Sequence, residues 1–350
     1  MWCSQSGIFT QNKFSDMKKV IKAVVTGGAG FIGSHLTEQL LDRGCKVTVL
    51  DNFSTGRPEN LNHLKHFPGL SVIRTDISKY TTDLDRHFSD ADWVFHLAAL
   101  ADIVPSINQP VAYHQANVDG TLRVLEAARK FKVKRFIYAA SSSCYGIPKT
   151  VPTPETAPIS PQYPYALTKY LGECMVLHWG KIYRLPVVSL RFFNVYGPRS
   201  RTSGTYGAVI GTFLAQKLAG VPYTVVGNGK QTRDFVFVSD VAGACIRAAL
   251  SDVTGEIFNV GSGGTYSVNR LTELLGGDVV YIPKRPGEPD STFADITKIK
   301  KILKWKPEIS FEAGIKQVLR NIDYWKNAPV WTPEKIGRAT KDWFKYLGRR

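Results

Sequence analysis

The stretch VVTGGAGFIGSHL, residues 24–36, constrains this chain more than any other. An apolar run ends in closely spaced glycines and passes directly into a helix-like stretch. Gly28, Gly30 and Gly33 satisfy Gly-x-Gly-x-x-Gly, and Gly27, Gly30 and Gly33 satisfy Gly-x-x-Gly-x-x-Gly. Glycines at this spacing allow a tight turn and close backbone approach, and the helix N-terminus then faces a pyrophosphate. The pattern is weak alone but sits here between strand and helix, as the motif requires. Asp51 ends the next apolar run, 18 residues after Gly33. A carboxylate there accepts hydrogen bonds from ribose hydroxyls and repels a 2′-phosphate, which selects NAD over NADP. Arg57 stands close enough to keep NADP open.

The first half alternates such runs with polar-faced helices. KAVVTG, KVTVLD, LSVIRTD, DWVFHLAA, RFIYAASS and PVVSLRF read as strands, and residues 34–43 and about 110–130 as helices. This alternation predicts an α/β fold, a Rossmann-type doubly wound parallel sheet covered on both faces, with ligands beyond the C-terminal strand ends. The expected division is a flexible extension over 1–19, a nucleotide-binding domain over 20–196, a smaller substrate-binding lobe over 197–328 and a basic tail over 329–350. A segment near 233–262 returns to the first domain, with a strand at 235–239 joining the main sheet.

Every chemistry-bearing motif falls at a predicted strand end. In RTDISK, Asp76 and its neighbour Ile77 stand where an adenine is met. In FHLAALA, the run Leu97, Ala98, Ala99 and Ala101 leaves room for a cofactor to pass, and His96 reads as a packed strand residue. SSSCYG follows the fifth strand, and YPYALTK comes about twenty residues later. Pro164 suits a helix's first turn, so Tyr165 and Lys169, four apart, share a face. A tyrosine titrates near pH 10, too high for a base near neutrality. An ammonium one turn away stabilises the phenolate and can also reach a nicotinamide ribose. A serine hydroxyl at the strand end can hydrogen-bond the same substrate oxygen and relay its proton.

Bulk properties narrow the class further. The 43% hydrophobic content is ordinary, and no apolar run approaches the roughly 20 residues of a membrane span. The opening MWCSQSGIFTQNKFSDMKK lacks the order of a signal peptide, and Met17 is an alternative start. Five cysteines without metal-ligand spacing predict a reducing, cytoplasmic setting and no metal. The net charge of +16 reads as a solvated basic surface that suits a diphosphate substrate, rather than as a nucleic-acid or membrane-inserting device. In the tail, Ile336, Ala339, Trp343 and Leu347 recur at helical spacing. They predict a helix packed on its own protein or a partner, with a basic membrane-surface anchor as the alternative.

Taken together, TGGAGFIG, LDNFSTG, FHLAA, NVDGTLRVLEAA, SSSCYG, YALTK, LRFFNVYGP, QTRDFVFVSD, FNVGSG and RPGEPDSTFAD resemble the extended short-chain dehydrogenase/reductases, in their NAD-dependent nucleotide-sugar epimerase/dehydratase branch. The likeness runs from about residue 20 to 326 and is nearest to UDP-glucose and UDP-N-acetylglucosamine 4-epimerases. It implies that Phe31 and Ile32 flank the pyrophosphate. It further implies that Asp51, Asn52, Phe53, Ser54, Thr55 and Gly56 line the adenosine site, and that Asn117 supports the active-site backbone. Tyr165 is then the base, Lys169 its partner, and Ser143 or Ser142 the catalytic hydroxyl. Asn194, Arg233 and Arg285 hold a UDP-sugar's diphosphate. Dehydratases of this kind carry an Asp-Glu pair after the catalytic Ser/Thr, and UDP-glucuronate decarboxylases a glutamate. SSSCYG has neither, and Cys144 reads as packing. The implied reaction is therefore 4-epimerisation through a 4-keto sugar, in a homodimer. Three residues before the AD aspartate, such enzymes limit the space for an N-acetyl group. That position is Thr292 when FAD is aligned through Asp295, and a register slip of one substitutes Ser291 or Phe293.

Overall fold

Short β-branched and aromatic runs bounded by glycine or aspartate form the strands. The computed structural model describes residues 19–200 and 209–348. The N-terminal extension before Lys19, with Met17, lies outside the described residues. In chain order the first strands are β1 (Lys22–Thr26), β2 (Lys46–Asp51), β3 (Leu70–Arg74), β4 (Trp93–His96), β5 (Arg135–Ser141) and β6 (Val187–Phe192). Then come β7 (Asn194–Tyr196), β8 (Tyr223–Val226), β9 (Thr232–Arg233), β10 (Phe235–Phe237), β11 (Glu256–Val260), β12 (Tyr266–Ser267) and β13 (Val279–Ile282).

Seven of these form one parallel sheet in the order β11-β6-β5-β4-β1-β2-β3. The order reverses between β1 and β4, which opens a crevice beyond their C-terminal ends. Neighbouring residues point to opposite faces, and both faces are covered. Val25, Phe95 and Ile137 pack under α1 (Phe31–Leu41), together with α4 (Val238–Leu250). Val24, Val94 and Phe136 pack under α2 (Gly120–Lys130) and α3 (Pro164–Tyr183). The smaller lobe has its own aromatic core, in which Phe311 stacks on Phe235 at 5.0 Å and on Tyr266 at 4.4 Å.

The structure corrects two expectations and adds detail to a third. The strand near 235–239 is β10, which pairs with β7 in a separate two-stranded ribbon; β11 is the segment that returns to the main sheet. Both segments are aromatic and apolar, so composition could not choose between them. The first helix starts at Phe31 rather than residue 34. Gly33 is a poor residue for a helix interior, but here it sits in the first turn, where an added Cβ would lie 2.1 Å from the Gly27 carbonyl oxygen. The stretch 110–130 is helical with a π turn at Gln115–Asp119, a distortion often found near functional sites.

Charged side chains are buried directly behind the strand ends. On α3, Glu173 is 1% exposed and takes a fork from Arg191 of β6, with Arg191 Nη2 to Glu173 Oε1 at 2.5 Å and Nε to Oε2 at 3.0 Å. Ser189 adds a hydrogen bond at 2.8 Å. One helical turn earlier, Lys169 is 5% exposed, its ammonium 4.4 Å from the centre of the Tyr138 ring. Burial pulls the Lys169 pKa down to about 7, against the nearby Glu173 carboxylate, which pulls it up.

Two stability predictions follow from these charges. Glu173→Ala strands the Arg191 guanidinium and should cost about 3–5 kcal/mol in urea unfolding. Lys169 keeps an ordinary amine pKa when unfolded, so between about pH 7 and 10 the unfolded chain holds a proton the native one lacks. Its burial penalty is thus full below pH 7 and fades as pH rises. Lys169→Met should be more stable than wild type at pH 6, with the gain shrinking toward pH 10; a pH-independent difference would contradict the assignment.

Candidate active site

The C-terminal strand ends open into a cavity of about 800 Å³ that runs from the glycine turn to the smaller lobe. Gly27, with φ +72°, closes the turn by donating to Leu50 O at 2.8 Å, and a Cβ there would sit 2.7 Å from Ala98 N. Only glycine leaves this channel open, as a dinucleotide's passage requires. Gly30, Phe31, Ile32, Gly33, Leu97, Ala98, Ala99 and Ala101 line it.

At the end of β2, Asp51 is 6% exposed, and its two carboxylate oxygens accept from Ala29 N at 3.0 Å and Phe53 N at 2.8 Å. Burial raises its pKa, and these two bonds counteract the rise. Asn52, Ser54 and Thr55 line the cavity beside it. Phe53 and Gly56, expected there too, are not among the lining residues. Phe53 packs against the core, and a Cβ on Gly56 would lie 2.7 Å from the Asp51 carboxylate. Both shape the loop that presents Asp51. Arg57 lines the cavity with its guanidinium over the Tyr324 ring at 5.1 Å. Asp76 and Ile77 also line it. Burial pulls the Asp76 carboxyl up, but hydrogen bonds from Ser78 and Asn52 prevail and hold it below the usual range.

Toward the middle, Asn117 stands behind the wall. It accepts from Leu100 N at 2.8 Å and donates to Leu100 O at 3.0 Å and Thr168 Oγ1 at 3.0 Å, pinning the β4 loop to α3. His96 is a packed strand residue, as its sequence suggested, held between Thr26 and Thr121 at 2.7 and 2.9 Å. Burial lowers its pKa to about 3. Cys144 is likewise packed, its thiol pushed up to about 12 by burial.

Tyr165 and Lys169 both reach the cavity from α3. Burial raises the Tyr165 pKa, and a hydrogen bond with Ser141 pulls it back. Ser141, the last residue of β5, is the hydroxyl that the sequence reading missed. Ser142 and Ser143 line the cavity too, but Ser143 reaches the phenol only through Ser141, at 2.8 Å between hydroxyl oxygens. The signal was the Tyr-Gly pair. Tyr145 OH donates to Asn259 at 2.7 Å and accepts from Arg191 at 2.8 Å. A Cβ on Gly146 would lie 2.0 Å from Ser160 O. This anchor fixes the loop's end, so the serines are counted back from it.

At the far end, Arg233 and Arg285 flank Glu288, whose carboxylate is 3.9 Å from the Arg233 Nη2 and 3.0 Å from the Arg285 Nη2. Planar guanidinium forks on a cavity wall suit a diphosphate. Asn194 Oδ1 accepts from Thr292 Oγ1 at 2.8 Å, which itself accepts from Asp234 N at 3.2 Å.

A model of the NAD dependent epimerase/dehydratase family matches residues 23–261. A UDP-glucose 4-epimerase of Mycolicibacterium smegmatis is 35% identical over 315 residues, covering 88% of this chain and 99% of that protein. UDP-glucuronic acid decarboxylase 4 of Arabidopsis thaliana is 34% identical over 315 residues, covering 87% of this chain and 69% of that one. The crystal structure of a UDP-N-acetylglucosamine 4-epimerase from Methanobrevibacter ruminantium, in complex with UDP-N-acetylmuramic acid, superposes with a TM-score of 0.82 at 36% identity, covering 87% and 99% of the two chains. A dinucleotide channel, a serine–tyrosine–lysine cluster and a match across two thirds of the sequence agree: this chain belongs to the NAD-dependent epimerase/dehydratase family.

Proposed function

We propose that the chain is a nucleotide-sugar 4-epimerase that interconverts UDP-GlcNAc and UDP-GalNAc, and UDP-Glc and UDP-Gal alongside them. One observation carries the reading: the loop Ser141–Gly146 brings a hydroxyl to Tyr165 and contains no carboxylate. Dehydration and decarboxylation of related sugars call for such an acid, whereas 4-epimerisation does not. The similarity to a decarboxylase makes a UDP-uronate decarboxylase or epimerase the reading to be tested against it.

In this mechanism the UDP diphosphate rests on Arg233 and Arg285. Ser141 donates to the sugar O4, and Tyr165 removes its proton. Lys169, buried one turn along, stabilises the phenolate by its charge whenever it is protonated. NAD, which the Gly27–Gly33 turn and Asp51 would hold, would supply the hydride acceptor for C4 and the donor for its return. With the diphosphate held, the 4-keto sugar, planar at C4, turns over about its linkage, so that hydride would return to the opposite face of C4 while Tyr165 returns the proton to O4. Thr292 leaves room for an N-acetyl group to sweep past. The four described cysteines, all free, support a reducing, cytoplasmic setting. Exposed Leu167 and Ile182 on α3 support homodimerisation along α2 and α3.

Purified protein incubated with UDP-GlcNAc, UDP-Glc and their uronates should yield the C4 epimers of the hexoses with no net consumption of reductant. Release of carbon dioxide from UDP-glucuronate would instead establish a decarboxylase. Tyr165→Phe should lower kcat about 10²–10⁴-fold while bound NAD persists, and Ser141→Ala should fall further than Ser142→Ala or Ser143→Ala. Thr292→Tyr should depress the N-acetylated reaction far more than the plain one. Equal loss on both would remove Thr292 as the determinant of size.

A further inference from the structure

The basic tail accounts for the last wall of the cavity. Instead of one continuous helix it forms two, α5 (Pro333–Ala339) and α6 (Lys341–Leu347), joined at Thr340. Neither is long enough to be helical by itself in water, so its order comes from docking. The approach is tied down by Gln216, which donates to Trp331 O at 2.6 Å. Ile336 is 3% exposed and Trp343 1%, so these two apolar side chains face the protein, whereas Phe344 and Tyr346 stay on the surface.

Trp343 lines the cavity, and so do Arg285 and Tyr163, the two side chains its ring meets. Its Nε1 donates to Pro286 O at 2.7 Å, beside Arg285. The Arg285 guanidinium lies over the indole at 5.3 Å. The indole also meets Tyr163 at 6.3 Å, and Tyr163 is stacked parallel to Tyr165 at 6.4 Å. Helix α6 also packs on the helix Ile103–Asn108, which follows the small-residue run of the β4 loop. A guanidinium stacked on an aromatic face keeps its in-plane N–H donors available for an anion. The indole therefore sets the plane in which Arg285 presents its fork, and it buttresses the ring beside the catalytic phenol.

We propose that the C-terminal segment 331–347 is a strap that completes the nucleotide-sugar site, and that Trp343 is a positioning residue for the substrate's diphosphate, acting through Arg285. The proposal rests on the nucleotide-sugar reading above. The strap lies beyond the stretch matched by the family model, which ends at residue 261.

Calorimetric titration of UDP into the NAD-loaded full chain tests it. Trp343→Ala should weaken UDP binding about tenfold and raise KM for UDP-GlcNAc more than it lowers kcat, with bound NAD unchanged. Trp343→Phe, which keeps an aromatic face, should recover most of the affinity. UDP affinity in a folded, NAD-loaded Trp343→Ala chain within twofold of wild type would overturn the proposal. Should Trp343→Ala fail to fold, hydrogen exchange on the wild-type chain decides: UDP should slow exchange across 333–347, and no change there would overturn the strap. A wild-type chain that binds no UDP at all would refute the nucleotide-sugar reading itself, a distinct result from unequal or equal binding by the variants.

Discussion

Because the seven strands of the main sheet run parallel, each delivers its last residues to the same edge. That constraint gathers groups far apart in sequence: Asp51 from β2, the Leu97–Ala101 run after β4, Ser141 from β5 and Asn194 after β6. The sheet order reverses between β1 and β4, so the helices beyond them leave on opposite faces and a crevice remains. Gly27 and Gly33 keep this crevice from closing on itself, since a side chain on either would strike neighbouring backbone. The smaller lobe brings the Arg233 and Arg285 guanidinium groups and Thr292 to the other side.

Catalytic groups placed at such an edge have to be charged without being wet. Lys169 lies in the interior, where burial pulls its pKa down, to about 7 on balance. Glu173, one turn further along α3, partly offsets this, and Arg191 in turn satisfies Glu173 from β6. Arg191 also reaches Tyr145, the anchor of the serine loop. One buried network thus lies one turn from Lys169 and holds the loop that supplies a hydroxyl to Tyr165. Replacing this network with apolar groups would be at least as favourable for folding alone; its position behind Tyr165 is what gives the charges a use.

Much of this was legible in the sequence, for identifiable reasons. The glycine turn, Asp51 and the Tyr165–Lys169 pair are local patterns whose spacing carries the geometry. What failed depended on tertiary contacts. Whether 235–239 or 256–260 joins the sheet is decided by which segment finds β6, and both are apolar. Ser141 was passed over because the loop was counted forward from the strand, whereas Tyr145 and Gly146 fix it from its far end. Phe53 and Gly56 belong to a loop whose backbone, rather than side chains, serves Asp51. Trp343 lies some 180 residues from Tyr163 in sequence, and only the folded chain brings the two rings to 6.3 Å. Its helical spacing announced a buried face without saying what it would cover.

The central proposal is that Tyr165 takes a proton from the sugar O4 while one bound cofactor takes hydride from C4 and returns it to the same carbon. UDP-N-acetylglucosamine carrying deuterium at C4, incubated with the purified chain in ordinary water, tests this directly by mass spectrometry and NMR of the product. The account predicts UDP-N-acetylgalactosamine that keeps its deuterium at C4 and gains no solvent hydrogen on the ring. Loss of the C4 label to solvent, or a product that has lost the elements of water, would contradict it.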